Sequence, residues 1–265
     1  MSEMESVKRT YVQRARAEAA AETRASILAA ARDLIPRAES GLGVDEIARY
    51  AGVAVQTIYD HFGSKGGLLM AVVDDVQGST GLYDALENVF RSPDGETALR
   101  RMIDATLTFW HRAWPYIEFT LRSRRVDPVV GREAAVLDTL RHAHLWAICQ
   151  RVWSEGRVRD GRTAAWAADQ VFALTTPTVY EELVVRRAWS LRAATESIRR
   201  AATASVIRAG TTPLLSPAPD WVALEAAAGA RAMRAGADPR RLSGSARGTA
   251  GSRRADADAA RRPLG

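Results

Sequence analysis

Residues 44–65 read VDEIARYAGVAVQTIYDHFGSK. Two helical runs, 44–50 and 54–62, are separated only by Ala51, Gly52 and Val53. Helices this short are marginal on their own, because the first turn fixes several residues for one hydrogen bond. They persist only when each is clamped against a neighbour. Ile47, Ala48, Ala51, Val53 and Ile58 supply the shared apolar face. Ala48 is small where the two helices must cross closely. Gly52 stands where the turn needs a positive φ, which costs glycine least.

Two short helices about a glycine turn are the layout of a helix-turn-helix, whose second helix is offered to the major groove of DNA. Its outward end carries Val55, Gln56 and Thr57. Glutamine can pair bidentately with adenine, and Val or a Thr methyl can touch the thymine methyl. The hydroxyls of Thr57 and Tyr59 suit phosphates, which position a helix without reading sequence. Lys65 opens the next helix and adds a charge beside N–H groups that can take a further phosphate. Tyr59, His61 and Phe62 have a plainer reading as a core cluster. Phe62 is assigned to that core, His61 is assigned to packing ahead of phosphate contact, and Tyr59 to phosphate contact ahead of packing.

The rest of the chain reads as helix. Apolar residues recur at helical spacing in 22–35, and Pro36 blocks continuation. Further helices are expected at 67–78, at 96–114 with Asp94 as cap and Pro115 as stop, at 116–124, from Pro128 toward Gly156, at 163–189 and at 190–210. No alternating strand pattern stands out, so the fold class is all-α. Residues 1–21 are either an extension of the first helix or a basic arm. From 211 the composition turns to Pro, Ala, Gly, Ser and Arg. One helix fits 219–235, and the remainder of 211–265 is expected to be largely disordered.

The formal net charge is +6, yet it is not gathered on the helix-turn-helix. Residues 1–74 carry nine Lys or Arg against ten Asp or Glu. Any DNA surface must therefore come from a local arrangement of donors. A single cysteine, Cys149, excludes an intrachain disulfide and a cysteine-based zinc site. There is no apolar run of membrane-spanning length and no signal-peptide pattern, so a soluble cytoplasmic protein without membrane attachment is expected.

TRASILAAARDL followed by VDEIARYAGVAVQTIYDHFGSKGGLL resembles the DNA-binding domain of the tetracycline-repressor-like (TetR) family of bacterial regulators. Ala48, Ala51-Gly52-Val53, Ile58-Tyr59, His61-Phe62 and Lys65 all fall in register with it. The match covers about 22–73, with a weaker likeness over 156–190. The resemblance implies a three-helix DNA-binding domain over 22–80, with the helix-turn-helix at 43–62. It also implies a helical effector-binding and dimerisation domain over 81–210. The partners implied are a double-stranded DNA operator, a second copy of the chain, and a small-molecule effector. Two departures stand out. Gly43 replaces the usual hydroxyl cap of the second helix, and Ala54 that of the third. Each change removes a cap worth about 0.5–2 kcal/mol and predicts weaker nonspecific DNA affinity.

Residues 94–190 are rich in aromatics, most of which are expected to be core. Trp110, Trp146 and Phe172 are the candidates to line an effector cavity, with His111, His142 or Gln170 as polar handles. A lone reading head makes too few contacts for specific binding, and paired half-sites demand a twofold dimer. Phe172, Val179 and Leu183 on one helix and Leu191, Ile198 and Val206 on the next are the candidate seam. Other readings are a regulator of this type with no small effector or under control of a protein partner, and, remotely, an all-α enzyme. Against catalysis, no nucleophile elbow, phosphate loop or HExxH is present, no catalytic residue or cofactor is assigned, and His142 and His144 diverge on a helix and make a poor metal pair.

Overall fold

The computed structural model describes residues 2–39, 41–208 and 210, with side chains from 12 onward. Its helices are α1 (Ser2–Leu34), α2 (Val44–Ala51), α3 (Val55–Phe62), α4 (Lys65–Ser79), α5 (Leu82–Phe90), α6 (Gly95–Arg112), α7 (Trp114–Ser123), α8 (Pro128–Ser154), α9 (Ala164–Leu174), α10 (Pro177–Tyr180) and α11 (Leu191–Val206). The only β pairing among the described residues is one antiparallel bridge, Val158 to Ile207. The helix expected at 219–235 and the character assigned to 211–265 lie outside the described residues. None of the described helices is long and apolar enough to cross a membrane.

The chain forms two compact units. The first takes in 1–76 and 113–134. The first helix includes the 2–21 segment rather than leaving it as a separate arm. Ile27, Leu28, Ala30 and Ala31 turn inward from α1, and Pro36 ends it through a short 3₁₀ turn, Ile35–Arg37. Beyond this, α7 is tied to the same unit by polar contacts. Ser123 Oγ accepts from Gly41 N–H at 2.9 Å. Arg122 donates to Ala38 O at 3.2 Å. The stretch 113–134 therefore departs from the boundary expected at 80–81: it groups with the helix-turn-helix.

The second unit takes in 77–112 and the described residues from 135 on. Its core contains Val89, Leu99, Ile103, Leu107, Leu145, Val152 and Val171. Asp94 caps α6, its carboxylate accepting from Thr97 N–H at 2.9 Å. At this point α6 meets α8 so closely that a Cβ on Gly95 would lie 2.8 Å from the Val152 backbone N. Glu155 accepts twice from Gly95 N–H, at 3.1 and 3.0 Å, and from Arg151 Nε at 3.0 Å. Arg151 donates onward to Ser92 O at 2.9 Å and Pro93 O at 2.5 Å. This buried ion pair is thus closed by backbone partners on both sides, the condition under which burying charge is tolerated.

Two expected elements differ and one helix is new. The 163–189 helix is broken: Pro177 has no N–H for the ladder, so α9 stops at Leu174 and Thr176 caps α10, accepting from Val179 N–H at 3.3 Å. A π-helical turn, Glu181–Arg186, follows, and Ala188 just beyond it takes φ 54°. Pro115 does not stop a helix reaching 114; α6 ends at Arg112 and Pro115 lies in the first turn of α7. Finally α5, LYDALENVF, is a helix that the sequence pattern does not announce.

Candidate functional site

The helix-turn-helix is built from apolar contacts with no side-chain caps. Ile47, Ala48 and Ile58 are buried. Gly52 takes φ 69°, in the left-handed region where a side chain is strained. Its N–H donates to Arg49 O at 3.3 Å, and Val53 N–H to Ala48 O at 3.0 Å. These two bonds end α2 and turn the chain into α3. Neither Gly43 nor Ala54 supplies a side-chain cap. At the far end Gly63, φ 73°, donates its N–H to Tyr59 O at 2.8 Å.

Val55, Gln56 and Tyr59 lie exposed on α3, while Thr57 is half-buried. Gln56 Nε2 donates to Asp60 Oδ1 at 2.9 Å, one turn on. The amide is thus laid along the helix by an exposed bond that a base edge can replace. His61 is half-buried beside Phe62, ring centroids 6.3 Å apart. The Arg24 guanidinium of α1 lies 5.0 Å from the Phe62 ring centroid. Tyr50, on the last turn of α2, is a further exposed aromatic that does not stand out in the sequence. Its only signal there is its position one residue before the turn.

Lys65 corrects an expectation. Its ammonium lies 2.5 Å from Asp127 Oδ2, and its side chain keeps only 25% exposure. Asp127 also accepts from Val129 N–H at 2.9 Å at the start of α8. Burial pushes the Asp127 carboxyl up, but the bonds from Lys65, Val129 and Val130 outweigh it and hold the group below its ordinary value. The α4 amide of Gly67 is likewise taken, by Ser64 Oγ at 3.0 Å. The Lys65 ammonium and the Gly67 amide are therefore both engaged inside their own unit.

In the second unit, four of the six candidate pocket residues make contacts that can be placed. Buried Trp110 donates its indole N–H to Thr175 O at 3.0 Å. His142 Nε2 donates to Asp169 Oδ1 at 2.7 Å, and its ring meets Phe172 edge-on with centroids 5.3 Å apart. Between Trp110 and Phe172 stands Arg141, which no sequence motif singles out. Its guanidinium lies 3.7 Å from the Phe172 ring centroid and 5.8 Å from that of Trp110. His111 is exposed and shares a 2.9 Å hydrogen bond with the Tyr180 hydroxyl. Trp146 and Gln170 are half-buried.

The candidate dimer seam also changes. Ile198 and Val206 are 4% and 0% exposed within the single chain, because α11 packs its inner face on α6 and α9. They are core and cannot meet a second copy. Phe172 is engaged by Arg141 and His142. Val179, Leu183 and Leu191 are half-buried, and Val185 and Trp189, neither of them expected in the seam, are exposed.

Residues 27–72 match the family model of the bacterial regulatory proteins, tetR family. The HTH-type transcriptional regulator AlkX of Mycobacterium tuberculosis (strain ATCC 25618 / H37Rv) is 36% identical over 99 residues, which covers 32% of this chain and 47% of that protein. The match thus spans about half the length of this curated relative. Among solved structures, NalD, the secondary repressor of the MexAB-OprM multidrug efflux pump in Pseudomonas aeruginosa, aligns with a TM-score of 0.57 at 18% identity, over 72% of this chain and 99% of its own. SmeT of Stenotrophomonas maltophilia in complex with triclosan aligns with a TM-score of 0.55 at 22% identity, over 75% of this chain and 100% of its own. At these identities the two structures speak to the fold alone. The likeness to the tetR family of bacterial regulatory proteins thus rests on residues 27–72, the segment that holds α2, α3 and the start of α4.

Proposed function

We propose that the chain is a homodimeric DNA-binding regulator whose hold on its operator is relieved by a small-molecule effector. One observation carries the reading. An eight-residue helix, α3, is clamped by Ile58 and a glycine turn, and Val55, Gln56 and Tyr59 are left exposed on it. Val55 and Gln56 would read base edges, and Tyr59 a phosphate. Thr57 and His61 would contribute less, since both are half-buried. The likeness to AlkX, named an HTH-type transcriptional regulator, supports the DNA half of this reading. The triclosan complex of SmeT supports the effector half.

Dimerisation would rest on Val179, Leu183 and Leu191, joined by Val185 and Trp189. An effector can move the protein off DNA only if it binds the non-DNA conformation better. An effector that weakens operator affinity tenfold must itself bind the operator complex tenfold more weakly, about 1.4 kcal/mol of coupling. Helices α4 and α8 each contribute residues to both units, and the chain crosses once more at Arg112–Ala113; these are the covalent links along which such coupling would pass.

The test begins with the genomic fragments that the purified protein retains. The recovered fragment is then titrated with protein with and without candidate ligands, and the oligomeric state is followed by light scattering. The reading expects a discrete retained fragment, a dimer, and loss of both dimer and operator binding in Leu183→Glu. Retention of random fragments only would overturn the DNA half. A stable Leu183→Glu dimer would move the seam elsewhere.

A further inference from the structure

Arg141 is placed in a way that its own protein does not complete. The residue lies on α8 with 12% of its side chain exposed. One terminal nitrogen, Nη1, donates to Thr175 Oγ1 at 3.0 Å. The other two, Nε and Nη2, are shut off from solvent and have no hydrogen-bond acceptor among the described residues. The nearest carboxylate is Asp138, less than one turn back on the same helix. Its Oδ1 stands 3.8 Å from Nη2 and the Asp138 side chain is 46% exposed, so the pairing is long and wet.

Nε and Nη2 share one edge of the guanidinium plane. Two parallel N–H groups on one edge are the fork that receives a carboxylate with both its oxygens. Leaving such an edge buried without an acceptor is costly. Burial pushes the Arg141 guanidinium down to about 10, with only Asp138 opposing. This same cation already stands over one face of the Phe172 ring, at 3.7 Å, and near one face of Trp110, at 5.8 Å. A second, organic cation would find those faces taken and a like charge beside it. An anion with an apolar body would find the free fork and the aromatic wall together.

We propose that Arg141 anchors the carboxylate of an amphipathic ligand whose apolar body packs on Phe172 and Trp110. The proposal rests on the effector reading and names its chemical class, an organic carboxylate rather than a neutral or cationic compound.

Decanoate, decan-1-ol and decyltrimethylammonium, held below their micelle concentrations, are titrated into the full chain by calorimetry and tryptophan fluorescence. Decanoate should bind about tenfold or more tightly than decan-1-ol, the increment of a charge-assisted pair, and decyltrimethylammonium most weakly. Arg141→Met, which keeps an unbranched apolar stem on α8, should erase the preference and leave decan-1-ol within about twofold of wild type. Arg141→Lys, which keeps the charge and loses the fork, should retain part of it and serves where Arg141→Met does not fold. Equal affinity for decanoate and decan-1-ol in wild type overturns the proposal, as does no decanoate binding, or a preference that survives in Arg141→Met or is undiminished in Arg141→Lys. Operator titrations with each probe separate the two readings. Decanoate bound through Arg141 without any change in operator affinity sustains the anion site and removes the effector role. Equal weakening of operator binding by decanoate and decan-1-ol does the reverse.

Discussion

The α2–α3 pair and the α6–α8 junction both bring two helices close across a small residue, and they secure the approach with opposite materials. In the first, Ala48 and Ile58 are buried, the turn is made by Gly52, and neither helix has a side-chain cap. In the second, Gly95 sits against the Val152 backbone and the junction is closed by Asp94, Arg151 and Glu155. Side-chain caps continue through that unit, from Thr163 on α9, Thr176 on α10 and Ser190 on α11. The reading head is thus held by shape, with Gln56 and Tyr59 left at its surface. The second unit is held partly by polar side chains engaged with one another and with the backbone. Polar substitutions should therefore act on stability in the second unit and, on the exposed face of α3, on binding.

The largest effect is expected from Glu155→Ala. It leaves the buried Arg151 guanidinium without its carboxylate and the Gly95 N–H without an acceptor. Breaking a buried pair from one side costs about 3–5 kcal/mol. Urea denaturation should show that loss, whereas Asp60→Ala on the exposed face of α3 should stay within about 0.5 kcal/mol. A loss under about 1 kcal/mol in Glu155→Ala would show that the junction is held by packing after all, and the contrast between the units would collapse.

Gln56 and Lys65 sharpen the contrast inside the head. Gln56→Ala should cost about 1–3 kcal/mol on the best operator and relax base preference, because a bidentate base pairing is removed. Lys65→Ala should leave the salt dependence of DNA binding unchanged, whereas deleting a cation that neutralises a phosphate flattens the slope by about 1. Its effect should fall on stability instead, through Asp127. A flattened slope in Lys65→Ala would mean that the lysine leaves Asp127 for a phosphate on DNA.

The same contrast explains how far the sequence can be read. The α2–α3 pair is legible because its determinants, Ile47, Ala48, Gly52 and Ile58, lie within a dozen residues and obey helical spacing. The Asp94 cap is legible for the same reason: its acceptor and donor are three residues apart. The ion pair of Lys65 is not, because its partner Asp127 lies 62 residues on. Ile198 and Val206 suggest a dimer seam because an apolar stripe does not say whether it meets its own chain or another. Arg141 stays hidden because its aromatic and threonine partners come from α6 and from the end of α9. The break at Thr175–Pro177 is written in the sequence as TTP, a hydroxyl cap followed by proline, but the long apolar run around it outweighs that signal.

A pH titration probes the second unit's buried polar groups. The His144 ring lies edge-on to Phe90 with centroids 5.9 Å apart, and burial pushes its imidazole down to about 4. The folded value lies below the unfolded value of about 6.5. Between these two values the unfolded chain holds the proton and the folded chain does not. Unfolding near pH 5 should therefore take up about one proton at this site, and stability should fall as pH drops from about 6.5 toward 4. Above that window the histidine contributes no slope. Denaturation midpoints across about pH 4.5–7.5 for wild type and His144→Gln measure it. A wild-type slope that persists unchanged in His144→Gln would assign the proton to another group.

The smallest expected change is a gain, and it tests whether the bare caps of the head serve binding. Ala54 is the N-cap of α3, with φ −73° and ψ 149°, the extended geometry from which a serine hydroxyl reaches the amide two or three residues on. Ser190 does this on α11, accepting from Ala193 N–H at 3.2 Å. Ala54→Ser should therefore stabilise the head by about 0.5–2 kcal/mol. Ser190→Ala should cost the second unit a similar amount. The hydroxyl would also stand beside the exposed start of α3, where Val55 and Gln56 face outward, and could donate to a phosphate. If the bare cap simply weakens the domain, Ala54→Ser should raise the unfolding midpoint and strengthen binding to operator and random DNA alike. Stabilisation with a loss of operator affinity would show instead that α3 must adjust its first turn to meet the groove, and that the uncapped end is what lets it do so.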